Sequence, residues 1–309
     1  MALYAFDGTW NREHDQASYS KNSNVVKFAK AYLGRKTVYQ KDGDRLHIVE
    51  DNDAHYIDGV GSRHGLPGRI AGGIFGAGGR ERVKEAVERV ERKFKEGDRD
   101  IDVVGFSRGA AIALHFVNVL ADKGIRVGGK KIKPRVRFLG LWDVVAAFGI
   151  PIDIGPFGFQ DINLGWHLTL PATVDRCFHA LAMDERRQAF RATRVERAYE
   201  VWFRGVHSDV GGGNENEQLS NIALSWMLRK AAAVGLPVDT KVITKLAVNP
   251  DAPVRPSSFD PKKDPFRVVT RAEWMHHTIR IRKDKNCQNP PAGCPVETPP
   301  LEAKRVSLV

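Results

Sequence analysis

Ile101-Asp-Val-Val-Gly-Phe-Ser-Arg-Gly-Ala-Ala-Ile-Ala-Leu-His-Phe-Val-Asn-Val-Leu120 decides the fold. An apolar run, Ile101 to Val104, leads into Gly105-Phe106-Ser107-Arg108-Gly109, and a second apolar run follows from Ala110 to Leu120. The first run has the length of a buried strand, and the second is apolar almost all round, as a buried crossover helix is. Gly-x-Ser-x-Gly between a strand and a helix is the pattern of a nucleophile elbow. The glycines have a steric task there. The turn is crowded, and residues without a Cβ let strand and helix approach closely around the serine.

Working outward, the same alternation recurs. Leu3 to Phe6, Leu46 to Val49, Ala54 to Ile57, Val136 to Leu141 and Tyr199 to Phe203 read as strands. Val25 to Leu33, Leu219 to Leu228 and Val238 to Val248 read as helices. Arg80 to Lys95 is the clearest amphipathic helix, with Val83, Ala86, Val87, Val90 and Phe94 on one face and Gly97 ending it. The segment from Asp58 to Gly79 is glycine-rich and lacks the Lys-Ser/Thr of a phosphate-binding loop, so it is expected to be a packing or active-site loop. Strands alternating with helices predict an α/β fold of the α/β-hydrolase kind, a mostly parallel central sheet with helices on both faces. Residues 1–249 are expected to form the catalytic domain. Ten of the 16 prolines fall after Asn249, so residues 250–309 are expected to be loops with short elements, packed on that domain or extending from it.

In parallel sheets the chemistry collects at the C-terminal ends of the strands. Asp7, Ser107, Asp143 and His207 each follow an apolar run. A serine nucleophile needs a base, and the base needs a carboxylate to hold its tautomer. In α/β-hydrolases the chain order is Ser, acid, His, and Ser107, Asp143 and His207 keep it. Of the ten histidines, His47 and His55 precede the serine, His115 sits inside the apolar helix, and His167 and His179 have no expected strand directly before them. His276 and His277 are the main rivals of His207. Asp209 is the rival of Asp143, and its position two residues past the histidine suits a supporting role better. The oxyanion donors are expected to be the backbone amide of Arg108 and that of Gly8 or Thr9, in the turn after the first strand. The apolar stretch from Val144 to Phe159 could serve as an acyl pocket, a lipid-facing lid or a buried loop.

The composition narrows the partners. The net charge of +11 is spread along the chain and favours peripheral contact with anionic membranes, while no nucleic-acid motif is present and nucleic acid is not an expected partner. No run of apolar residues is long enough to span a bilayer. The N-terminus lacks the basic and apolar regions of a signal peptide, so cytoplasmic synthesis is expected, with export only by a route that needs no cleaved signal. The three cysteines, Cys177, Cys287 and Cys294, have no zinc spacing and read as free thiols. No metal site or cofactor is expected.

Six blocks carry a resemblance. They are Tyr4-Ala-Phe-Asp-Gly-Thr-Trp-Asn11, Tyr56-Ile-Asp-Gly-Val-Gly61, Gly105-Phe-Ser-Arg-Gly-Ala110, Phe138-Leu-Gly-Leu-Trp-Asp143, His179-Ala-Leu-Ala-Met-Asp-Glu185 and Val201-Trp-Phe-Arg-Gly-Val-His-Ser-Asp-Val-Gly-Gly-Gly213. In this order the chain resembles the uncharacterised domain family 2235, which is similar to the catalytic domain of type VI secretion lipase effectors. The resemblance implies an α/β-hydrolase acting on esters or phospholipids through Ser107, Asp143 and His207, and it brings Asp7-Gly8-Thr9 into the site. Val144 departs from the family's usual small polar residue after the acid. The competing readings are a non-catalytic binding protein on the same scaffold, with a basic surface for an anionic partner, and an amidase.

Overall fold

In a computed structural model the described residues are 1–9, 11–14, 20–33, 38–42, 45–50, 53–59, 73–146, 152–153, 159–160, 168–214, 217–254, 264–279 and 287–298. The elements run β1 (Ala2–Phe6), α1 (Asn24–Ala31), β2 (Val38–Asp42), β3 (Arg45–Glu50), β4 (Ala54–Ile57), α2 (Gly73–Lys95), β5 (Ile101–Phe106) and α3 (Ser107–Lys123). They continue with β6 (Ile125–Val127), β7 (Lys130–Ile132), β8 (Phe138–Trp142), β9 (Ile152–Asp153), β10 (Phe159–Gln160), β11 (Cys177–Ala182) and β12 (Tyr199–Phe203). Last come α4 (His207–Gly211), α5 (Glu217–Ala233), α6 (Lys241–Lys245), β13 (Trp274–His276) and β14 (Val296–Glu297).

Eight strands form one sheet in the order β14-β13-β12-β11-β8-β5-β1-β4, with parallel pairing throughout. Parallel strands are covered on both faces, which is why β5 and β8 are buried at every position and read as near-continuous apolar runs. Alternate strand residues serve opposite faces. Tyr4, Phe6, Val103 and Leu139 pack with Val83, Val90 and Phe94 of α2 and with Ile112, Phe116 and Leu120 of α3. Leu3, Ala5, Val104 and Phe138 pack with Val25 and Phe28 of α1 and with Leu224, Trp226 and Leu228 of α5. Each fully buried Val, Leu or Phe side chain contributes about 1.5–3 kcal/mol.

This division of helices fixes where a site can form. The chain leaves β1 toward the α1 face and β5 toward the α3 face, and β1 and β5 are adjacent. Neighbouring parallel strands whose connections diverge open a crevice at their C-terminal ends. Asp7-Gly8 and Ser107 lie at that crevice.

Three elements differ from the sequence reading. The strand β11 contains His179, because a single imidazole inside CFHALA interrupts the apolar run without ending the strand. Helix α2 begins at Gly73, within the stretch whose glycines read as loop. The helix expected over Val238 to Val248 is only the five residues of α6, and the chain is already extended at Leu246. The late segment, read as loops with short elements, adds β13 and β14 to the same sheet as β1. There Glu297 on β14 is wholly buried, bonded to the Lys230 ammonium and accepting from Trp226 Nε1 at 2.7 Å. Most of the Val144 to Phe159 stretch, assigned to a pocket, lid or buried loop, and His167 lie outside the described residues.

Candidate active site

Ser107 is the first residue of α3, directly after β5, and its φ is +58°. This left-handed conformation is unusual for a residue with a side chain. The flanking glycines permit it. A Cβ on Gly109 would lie 2.3 Å from the Asp7 carbonyl oxygen and 2.4 Å from that of Phe6, and one on Gly105 would lie 2.7 Å from Ala110 Cα. The helix is thus seated directly on β1 and β5, with its first amides turned toward the strand ends.

Asp143 follows β8, also with positive φ, +41°. His207 opens α4, the short helix after β12. The two meet: His207 Nδ1 and Asp143 Oδ2 are 2.6 Å apart, with both side chains nearly or fully buried. Nδ1 is committed to the carboxylate, which leaves Nε2 as the ring nitrogen available to another group. The imidazole packs against the ring of Phe106, the residue before Ser107, with centroids 4.6 Å apart, and against Phe190 at 4.8 Å. A Cβ on Gly211 would lie 1.9 Å from the Phe106 ring, so only glycine lets α4 close over it.

The carboxylate of Asp143 is fully satisfied. Oδ1 accepts from Ala182 N at 3.0 Å and from Arg267 Nη1 at 2.6 Å, and Oδ2 accepts from Arg267 Nη2 at 3.0 Å besides His207. Burial alone would raise its pKa. The Arg267 charge, His207 and these hydrogen bonds outweigh that and hold Asp143 well below the usual carboxylate range. Burial lowers the pKa of His207, Asp143 raises it, and the net displacement is downward.

The other expected residues fall around this pair. Asp209 Oδ2 accepts from Val206 N at 3.1 Å and its Oδ1 accepts from Asn214 Nδ2 at 2.8 Å, so it braces the start of α4. Asp7 is buried after β1. Its Oδ2 accepts from Ser23 Oγ at 2.8 Å and Tyr56 Oη at 2.7 Å. Its Oδ1 accepts from Gly8 N at 2.7 Å and Asn11 Nδ2 at 3.3 Å. Burial, the largest influence, leaves its pKa raised despite these donors. The amide of Gly8, considered with that of Thr9 as an oxyanion donor, donates to Asp7 Oδ1. Gly8 contributes by its lack of a side chain, since a Cβ would lie 3.3 Å from Ser107 Cβ. Thr9 follows, with its buried hydroxyl unpaired. Arg108 is the second residue of α3, and burial lowers the pKa of its guanidinium.

Three residues were missed from sequence. Glu185, after β11, accepts from His207 N at 3.1 Å and fixes the backbone of the histidine. His179, dismissed for want of a preceding strand, lies within β11. Its Nε2 accepts from Val144 N at 3.2 Å and its Nδ1 is 2.9 Å from Glu200 Oε1, which steadies the turn carrying Asp143. Glu185 had a signal, since it ends one of the six blocks. Arg267 had none.

His276 lies in β13, with its Nδ1 2.6 Å from Thr278 Oγ1 and its ring stacked on Phe203. A groove of about 650 Å³ between α2 and α3, lined in part by Val83, Val87, His115 and Val119, shares no residue with the strand-end site. Among the described residues no group of three or more His, Cys, Asp or Glu side chains could hold a metal ion. No described helix is long and apolar enough to cross a membrane.

A serine at a left-handed strand–helix turn, at the divergence point of a parallel sheet, with a buried His–Asp pair whose aspartate follows the adjacent strand β8 and whose histidine follows β12, three strands away, defines an α/β-hydrolase-like protein. The model of the type VI secretion phospholipase effectors, Tle1-like, catalytic domain, matches residues 3–132 and 126–230, and the chain belongs to that family. Among solved structures, the Tle1 effector bound to the VgrG spike of the type VI secretion system is 26% identical with a TM-score of 0.45, covering 68% of this chain and 50% of that one. An uncharacterized protein from Pseudomonas aeruginosa is 22% identical with a TM-score of 0.51, covering 80% and 49%. The chain therefore spans about half the length of these structures. A search of curated proteins finds no match.

Proposed function

We propose that the protein is a serine hydrolase that cleaves acyl ester bonds of phospholipids through a Ser107–His207–Asp143 triad. The observation that carries this reading is the 2.6 Å contact between His207 and Asp143, with the imidazole packed on the residue that precedes Ser107. Membership of the phospholipase effector family supports the substrate class. In the reaction His207 Nε2 removes the Ser107 proton as Oγ attacks the ester carbonyl, and Asp143 stabilises the imidazolium. The oxyanion is received by the amides of Arg108 and Thr9. The imidazolium then protonates the departing alcohol, and an activated water releases the acyl group from Ser107 by the reverse sequence. The diffuse positive charge suits peripheral contact with an anionic membrane. A protein partner for export is part of the same reading, on the strength of the family.

The test is hydrolysis of phosphatidylglycerol vesicles and of a p-nitrophenyl ester series by wild type and Ser107→Ala. Loss of both activities by about a thousandfold or more is expected. Retention of either in Ser107→Ala would remove the mechanism, and activity on the soluble esters alone would remove the phospholipid assignment.

A further inference from the structure

Arg267 comes from the late, proline-rich segment, beyond the span matched by the family model. Its guanidinium is nearly buried, and its two terminal nitrogens grip both oxygens of Asp143. Nη1 also donates to Ala182 O at 2.6 Å, and Nη2 donates to Phe190 O, so both terminal nitrogens are fully engaged, while Nε is buried without a hydrogen-bond partner. The backbone is anchored as well. Gln288 Nε2 donates to Arg267 O at 3.2 Å and to Met183 O at 2.7 Å, and Gln288 N donates to Asp184 Oδ1 at 2.9 Å. Such a planar, bidentate contact sets the orientation of a carboxylate as well as its charge.

We propose that Arg267 is a positioning residue of the site: it fixes the plane of the Asp143 carboxylate toward His207, and its charge opposes protonation of the imidazole. The proposal rests on the triad reading above. Asp143 faces His207 from the end of β8 and Glu185 from the end of β11, where Glu185 is paired with Arg187 at 2.8 Å. Asp209, on α4 itself, is turned to Val206 and Asn214. The rings of Phe106 and Phe190 exclude water from two sides. Two carboxylates would therefore draw a proton onto the imidazole, and Arg267 and Arg187 are the cations that offset them. Arg267 does so directly across Asp143. A histidine that acts as base must be neutral, so this compensation extends catalysis to lower pH.

The experiment uses the full chain as wild type, Arg267→Met and Arg267→Lys, with kcat and KM for p-nitrophenyl butyrate measured from pH 4 to 9. In Arg267→Met the acid limb of kcat/KM is expected to move up by about one pH unit. Its kcat is expected to fall by about ten- to a hundredfold, as misplacement of a catalytic group does. Arg267→Lys keeps the charge but cannot fill the fork, so its limb should stay near that of wild type while kcat falls. An unmoved limb or an unchanged kcat in Arg267→Met would overturn the proposal. So would wild-type kcat in Arg267→Lys, which decides the matter if Arg267→Met does not fold. Failure of the triad itself is read separately: Ser107 of wild type would then resist labelling by a fluorophosphonate, with Arg267 intact.

Discussion

Glu297→Gln tests how the late strands are held to the sheet. Glu297 and Lys230 are both fully buried in side chain, and the ammonium also lies 4.9 Å from the centroid of the Tyr199 ring and 5.7 Å from those of Phe178 and Trp226. The amide preserves shape and can still accept from Trp226, but it leaves the Lys230 charge without its counter-ion. Breaking a buried pair from one side costs about 3–5 kcal/mol. The whole folding free energy of a domain is about 5–15 kcal/mol, so this is a large share of it. At roughly 2–4 °C per kcal/mol, the melting temperature should drop by at least about 6 °C. Lys230→Met in the Glu297→Gln background removes the stranded charge and should recover much of the loss, because three aromatic rings already surround that position. Urea unfolding of wild type, both single variants and the double variant gives the coupling energy. A loss below about 1 kcal/mol in Glu297→Gln, the range of exposed pairs, would refute the assignment of this contact as the lock of the β14 edge.

Two further outcomes are expected. Gly109→Ala places a Cβ within 2.4 Å of two main-chain carbonyl oxygens, so α3 must lift from β1. Stability should fall by about 1–3 kcal/mol, measured by urea unfolding, with a larger proportional loss of esterase activity because Ser107 moves with the helix. The pH dependence of kcat/KM in wild type should show an acid limb below the ordinary histidine value of 6.5, because His207 is displaced downward. The sign follows from the base being active only when neutral: activity is full above the limb and is lost as pH falls through it. A limb at or above pH 6.5 would show that the imidazole is not in this environment.

The elbow was legible because its signal is local. Ile101 to Val104, the glycines around Ser107 and the apolar helix after it lie within twenty residues, and the strand–turn–helix follows from period and steric crowding alone. The strand-end positions of Asp143 and His207 were legible because both follow runs that read as strands. His179 was set aside because no strand was expected directly before it; it lies inside β11, where a buried imidazole needs only two partners, here Val144 N and Glu200. The three residues of β13 and two of β14 are too short to show a period. Arg267 meets Asp143 across 124 positions of chain, and no local pattern distinguishes one arginine among 48 basic residues. The engagement of the Gly8 amide by Asp7 depends on the side-chain rotamer, which sequence does not carry.

Ser107 and Asp143 both occupy left-handed backbone conformations, at about 1–2 kcal/mol each for a residue with a Cβ. Glycine would relieve that cost at either position and, on the proposed mechanism, remove the nucleophile or the acid. On the proposed triad, the molecule is thus held away from its own thermal optimum at its nucleophile and at its acid. A selection for heat resistance alone would drift toward inactive chains, and a variant that melts higher than wild type has to be assayed before it is called improved.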